Sequence, residues 1–261
     1  MIEAVKKFAG HRFLFSELVK RDFKKKYKRT YLGMLWSLLS PLFTLAIMSL
    51  VFSGFFARSQ PHYTIYIFAG NIIFSFFTDS TAGGMGSILG NAEIFSKINI
   101  PKYLFLFSKN VSALINFALT FFVFLVFCAI DGIKFSLSFF SLIIPIFSLV
   151  IFNLGMGLIL SALFVFFRDM QYLWGVFTTL LMYMSAIFYT VDRFSKTVQS
   201  LFLLNPVYVY ISYFRAAVID GVFPSLKINL LAIGYAVLTF LIGACVYKKC
   251  NSKFIYYVCE E

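Results

Sequence analysis

The chain has 261 residues, of which 61% are hydrophobic, 20% aromatic and only 13% charged, with a mean hydropathy of +0.87. A water-soluble domain of this length needs a largely polar surface, so the composition excludes a soluble globular protein and makes the bilayer the natural solvent. The net charge of +12 is then a matter of loop topology and anionic partners; nothing in it calls for nucleic acid.

Residues 1–31 form a basic N-terminal region. Within it, 11-HRFLFSELVKRDFKKKYKR-29 has helical periodicity: Phe15, Val19, Phe23 and Tyr27 make an i,i+4 stripe with Leu14 and Leu18 beside it, and charges fill the other side. A basic amphipathic helix of this kind lies in the membrane interface. One reading is an anchor to anionic lipid heads, at about 1 kcal/mol per basic residue. The other is a landing site for a phosphate-bearing lipid substrate. Six basic residues, Arg21, Lys24, Lys25, Lys26, Lys28 and Arg29, stand directly before the first apolar run. A cleaved signal peptide does not fit, because the basic lead-in and the apolar run are both too long and further spans follow.

Six candidate spans come next: 32–56, 63–80 with a possible extension to Leu89, 104–130, 137–167, 171–190 and 229–247. Each is near the roughly 20 apolar residues that a crossing needs. Pro41 and Pro145 lie inside spans and are expected to kink them. With the N-terminus inside, the inner side holds the ten basic residues before Tyr31 together with Lys97, Lys102, Lys109, Arg168, Lys248, Lys249 and Lys253, 17 of the 23. This positive-inside bias puts both termini in the cytoplasm, including the tail 248–261. The fold class expected is all-α and polytopic: an interfacial helix, a six-span domain over 32–247, and short re-entrant outer helices.

The segments between spans carry further signals. Gly83, Gly84, Gly86 and Gly90 lack the Lys-Ser or Lys-Thr of a phosphate loop, so they are expected to end a helix and permit close packing. After them, 91-NAEIFSKINIPK-102 reads as a short inner helix with Asn91 as N-cap, Glu93 in the first turn and Pro101 as the stop. Its small apolar face of Ile94, Phe95 and Ile98, with Lys97 beside it, suits docking into a partner's groove or lying as an interfacial loop helix. Arg168 and Asp169 form a tight inner turn, placed to pair or to cap helices. Residues 191–228 are outside, apolar and aromatic, and interrupted at Asn205-Pro206. Two short helices that dip in and return would fit them, lining an exit path or capping the outer face.

Recognisable chemistry is absent. The four cysteines have neither disulfide nor zinc spacing, and two histidines cannot build a histidine-rich metal centre. No nucleotide loop or nucleophile motif occurs, and Asp79 is the only acid well within a predicted span. An ion-coupled carrier normally needs more intramembrane carboxylates, and one built from repeats would show two similar halves. Energy is therefore expected from a separate subunit.

The entry RDFKKKYKRTYLGMLWSLLSPLF, the inner loop NAEIFSKINIPKYLF, the FFRD turn at 166–169, SAIFYT, and NPVYVYISYFRAAVIDG at 205–221, in this order and spacing, resemble the permease subunits of ABC-2 exporters. These move lipid-linked polysaccharides such as O-antigen, teichoic acid, rhamnan or capsule. The resemblance implies a homodimer of six-span protomers with two copies of a cytosolic ABC ATPase. ATP and Mg would be bound there and no cofactor by this chain. It makes 91–102 the coupling helix and sets the basic cluster beside a portal for the lipid phosphate. Sugars stack their apolar faces on aromatic rings, so Tyr31, Trp36, Tyr183, Tyr189, Tyr208, Tyr210 and Tyr213, with Asn205, Pro206 and Arg215, become candidates for conduit or gate. An ABC-2 permease for a drug or small lipid, and an ATPase-independent carrier or pore, are the alternatives. A membrane-embedded glycosyltransferase would need an acidic or metal motif that is not there. The polymer and the envelope type are not fixed by these residues.

Overall fold

The computed structural model describes residues 12–27, 31–56, 62–98, 100–254 and 257. Every regular element among them is helical: α1 Arg12–Tyr27, α2 Trp36–Phe56, α3 Tyr63–Met85, α4 Ala92–Lys97, α5 Tyr103–Ile130, α6 Ile143–Phe166, α7 Met170–Met184, α8 Lys196–Phe202, α9 Pro206–Val218 and α10 Leu226–Cys250. Short 3-10 turns lead into α2, α4 and α6. Three segments are long and apolar enough to cross a membrane on their own, namely α5, α6 with its 3-10 lead from Leu137, and α10. The 23-residue α3 is long enough too, but Asn71, Ser75, Asp79 and Ser80 dilute its apolar character. At 15 residues, α7 spans about 22 Å, short of the roughly 30 Å of hydrocarbon.

Several boundaries differ from expectation for local reasons. The second segment runs on to Met85, and a Gly sits at its C-cap. The fifth ends at Met184, because Ala186 adopts the left-handed φ of 50° and turns the chain. Pro145 falls in the first turn of α6, where its missing N–H would have had no helical acceptor, so it need not kink the helix. Pro41 does lie within α2. Helices α8 and α9 meet at 104° across Asn205, and neither could cross alone.

The main core forms around α3, which is buried on nearly all sides by α5, α6, α9 and α2. Phe68 packs edge-on against Phe124 and Phe127, while Phe77 meets Phe152 and Trp174. Helices α6 and α10 make the most extensive pairing. At Gly155 and Gly243 their backbones approach so closely that an added Cβ would lie 2.6 Å and 2.4 Å from main-chain atoms of the other helix. Small residues at a crossing are how membrane helices gain packing energy when lipid offers no hydrophobic drive. Gly84 meets Gly157 in the same way, α3 against α6.

A second, smaller core lies at the end of the bundle that carries α1 and α4. Its members are Leu18 of α1, Ile88, Phe95 of α4, Phe105 and Leu106 of α5, Leu158, Ala162 and Val165 of α6, Tyr247 of α10 and Phe254 of the tail. Helix α1 thus packs on α5 through its Leu14, Leu18 and Asp22 face. Leu18 and Asp22 are buried, whereas Phe15, Val19 and Phe23 are only partly covered.

Candidate functional site: a polar furrow and its inner end

Three helices that are otherwise apolar each carry one polar stripe. On α2 it is Ser37, Ser40 and Thr44; on α3 it is Asn71, Ser75 and Asp79; on α5 it is Lys109, Ser112, Asn116 and Thr120. Steps of three and four keep each stripe on one helical face. The fold turns the three faces toward one another. The result is a hollow of about 420 Å³ lined also by Trp36, Pro41, Phe76 and Phe117. It shares Asp79, Ala113 and Asn116 with a second hollow of about 310 Å³, which shares Asp22, Gly83 and Lys109 with a third of similar size reaching Arg21 and Asn91. Together they make one continuous furrow along α3 and α5.

Its upper part carries one acid, Asp79, and is otherwise rich in hydroxyl and amide groups, with aromatic rings among them. Thr44 donates to the carbonyl of Ser40 and Thr120 to that of Asn116, so their oxygens still offer lone pairs to the furrow. Asn110 on the flank donates to Ser80 at 2.7 Å and ties α5 to α3. Amide and hydroxyl groups beside aromatic rings suit a ligand with many hydroxyls and apolar ring faces.

The inner end is charged. The Asp22 side chain is only 2% exposed and receives Arg21 Nη2 at 2.9 Å, Lys109 Nζ at 3.1 Å and Ser108 Oγ at 3.0 Å. A buried carboxylate is tolerable because these donors replace its hydration. Arg21 also donates from Nη2 to Asn91 Oδ1 at 2.7 Å, and Asn91 Nδ2 donates to the Ser87 carbonyl at 2.7 Å.

The structure revises several expected roles. Asn91 does not cap α4 with its side chain; it reaches back to Ser87 and across to Arg21. The helix ends at Lys97, before Pro101, and Ile98 is extended. Phe95 is buried in the second core beside Phe105, so it is not free to dock elsewhere. Ile94 packs partly against that core, while Glu93, Lys97 and Ile98 are exposed. Lys102 lies over the rings of both Phe95 and Phe254 and donates to the Asn251 carbonyl, and its partial burial lowers its pKa. Of the basic cluster, Lys24 is exposed on α1. The side chains of Lys25 and Lys26, and all of Lys28 and Arg29, lie outside the described residues. Asp169 stands at the N-cap of α7 but caps only through its carbonyl, which accepts from Tyr172 and Leu173.

The outer candidates divide into two groups. Tyr210 is fully buried and donates to the Ala232 carbonyl, and Tyr213 is buried and donates to Asn229, so both hold α9 against α10 and line no path. Arg215 is buried as well. It donates to the carbonyls of Tyr66, Ala186 and Ile187 and stacks 3.4 Å from the Tyr66 ring centroid. It joins α9, α3 and the break after α7, a Cβ at Gly70 would lie 2.8 Å from its Nη2, and it also borders the hollow that Tyr208 lines. Asn205 accepts from Val207 and Tyr208 to cap α9, where Pro206 takes the first position, and donates to Met184 and Ser185. Tyr31, Trp36 and Tyr183 are exposed, and the Tyr189 hydroxyl bonds the Tyr183 carbonyl. Tyr208 borders a separate outer hollow of about 190 Å³ with Asp192 and Asp220. Among the described residues no group of three or more His, Cys, Asp or Glu could hold a metal.

Sequence reasoning missed Asp22, Lys109 and the polar stripes. Asp22 stands four residues after Leu18 and eight after Leu14, on the face that is buried, and that spacing was a readable signal. The stripes 71/75/79 and 109/112/116/120 were readable too.

The family described as ABC-2 type transporter matches residues 14–219. The O-antigen export system permease protein RfbA of Klebsiella pneumoniae is 28% identical over 247 residues, 93% of this chain and 95% of that protein. RfbA of Myxococcus xanthus is 27% identical, covering 83% of this chain and 84% of its own length. The polysialic acid transport protein KpsM of Escherichia coli is 23% identical over 87% of this chain and 90% of its own.

Proposed function

Because the chain belongs to the ABC-2 type transporter membrane family, we propose that it is the membrane subunit of an ATP-driven exporter that carries lipid-linked polysaccharide out across the cytoplasmic membrane. It is a multi-pass membrane transport subunit and not itself an enzyme. Nearly full-length similarity to O-antigen and polysialic acid export proteins supports a polysaccharide cargo. The observation that carries the reading is the furrow: neutral hydrogen-bonding groups and aromatic rings gathered into one strip of a chain that is 61% hydrophobic.

In this reading two copies of the chain assemble with two copies of a cytosolic ABC ATPase, which binds ATP and Mg. Both termini lie in the cytoplasm, and six segments cross; α3 is sheltered by its neighbours, while α7 buries only Trp174 and leaves an apolar face open. The furrow is each protomer's share of the conduit. Exposed Glu93, Lys97 and Ile98 face the ATPase, and Lys24 with its basic neighbours attracts the lipid phosphate by charge. Teichoic acid or rhamnan would fit the same furrow as well as O-antigen or capsule.

The test is co-purification with the candidate ATPase, followed by hydrolysis assays in nanodiscs with and without a lipid-linked glycan extract. A stable complex whose hydrolysis rises with the extract is expected. Solute or ion flux from this protein alone, with no ATPase bound, would overturn the reading.

A further inference from the structure

Two residues that belong to separate sequence features meet at the inner face. Arg21 lies on the basic interfacial helix α1, Asn91 opens the coupling segment before α4, and 70 positions separate them. Their side chains are 2.7 Å apart, Nη2 to Oδ1. Neither is loosely held. Asp22 receives the same guanidinium and is itself fixed by Lys109 and Ser108 of α5, and Asn91 is clamped to the Ser87 carbonyl. An apolar contact runs in parallel, since Leu18 of α1 and Phe95 of α4 share one core.

We infer that Arg21 and Asn91 are positioning residues that make the interfacial helix and the coupling helix a single moving part. A push delivered at α4 by a nucleotide-driven partner then shifts α1 together with the start of α5, to which Asp22 is tied. Arg21 serves this link, and capture of lipid phosphate falls to the exposed basic residues such as Lys24. The inference rests on the exporter reading for its source of motion. The bond itself is short and shielded, with Asn91 buried, so it is stronger than a solvated surface pair. A rigid connection of two elements through packed and hydrogen-bonded side chains is the physical form such coupling takes.

The experiment uses the complete complex with its ATPase in nanodiscs. Spin labels at Ser16→Cys and Lys97→Cys, in a background without the four native cysteines, report the distance between α1 and α4 before and after ATP trapping. The expected result is an unchanged intraprotomer distance in the parent protein. Asn91→Ala and Arg21→Ala should each let the distance change with nucleotide. Each should lose stimulation by lipid-linked glycan extract, and the double variant should be no worse than either single one. Asn91→Ala carries no change of charge, so it separates linkage from headgroup capture. If Arg21→Ala only raises the amount of extract needed while Asn91→Ala is silent, Arg21 binds the lipid and the linkage is wrong. A nucleotide-dependent distance in the parent protein also overturns it. If no ATPase co-purifies with the parent protein, the exporter reading itself fails, and the linkage falls with it for a different reason.

Discussion

Arg215 in the main core binds three main-chain carbonyls, whereas Arg21 at the inner core binds two side chains, Asp22 and Asn91. The contrast extends to everything around them. In the main core, Tyr63, Tyr66 and Tyr210 also donate to backbone carbonyls, and helices α6 and α10 touch backbone to backbone at Gly155 and Gly243. The inner core gathers one to three residues each from α1, α4, α5, α6, α10 and the tail, and Asp22 joins α1 to α5 through side chains alone. A region locked through its backbone can move only as a body. One joined through side chains can be disconnected by a single substitution without disturbing the backbone, so the two regions are separable by mutation.

This comparison can be broken most severely at Arg215. Arg215→Ala removes a donor shared by three carbonyls and opens a void, and should cost about 3–5 kcal/mol, read as a large drop in thermal unfolding midpoint in detergent. Arg215→Lys should recover little, since one ammonium cannot reproduce the forked geometry. A midpoint near that of the parent protein would show that the carbonyl cluster is not what holds the main core. Next comes Phe95→Ala, expected to cost about 3 kcal/mol, but locally. Hydrogen exchange should quicken in α1 and α4 while α3 stays protected, and equal loss in α3 would erase the distinction between the two cores. Gly155→Ala should cost about 1–3 kcal/mol through forced separation of α6 and α10, visible as a lower midpoint with ATPase stimulation by glycan reduced in proportion.

Smaller effects sharpen the picture. Asp22→Asn should cost roughly 1–2 kcal/mol, because Arg21 and Lys109 lose their shared anion while Ser108 keeps a partner. It should loosen α1 in the same exchange experiment. Ile98→Ala should change stability by less than about 0.5 kcal/mol and still weaken association with the ATPase. An unchanged affinity, measured by titration of the purified partner, would remove Ile98 from the docking surface.

What could be read beforehand follows the same division. The apolar lengths of α5, α6 and α10 were visible as hydropathy, and the Gly-rich stretch was correctly expected to bring backbones together at Gly84. Arg215 was counted as an outer charge, since three convergent carbonyls leave no trace in composition. Asn91 stands where a cap belongs, and only the fold shows that Arg21 has taken its oxygen. The polar stripes on α3 and α5 are legible in steps of three and four, each with one charge, Asp79 or Lys109, among neutral groups. Phe95 was assigned to a partner because its spacing with Ile94 and Ile98 cannot reveal that Phe254 and Phe105 arrive from elsewhere to cover it.

The carbonyls that bind Arg215 belong to residues 66, 186 and 187, all earlier in the chain. When the ribosome releases this guanidinium, its acceptors have already been made, and α10 supplies none of them. An isolated arginine at depth in lipid costs at least about 2.5–3.5 kcal/mol. Insertion in sequence order would let the charge leave the translocon for acceptors already in place, so its hydrogen bonds need not wait for α10.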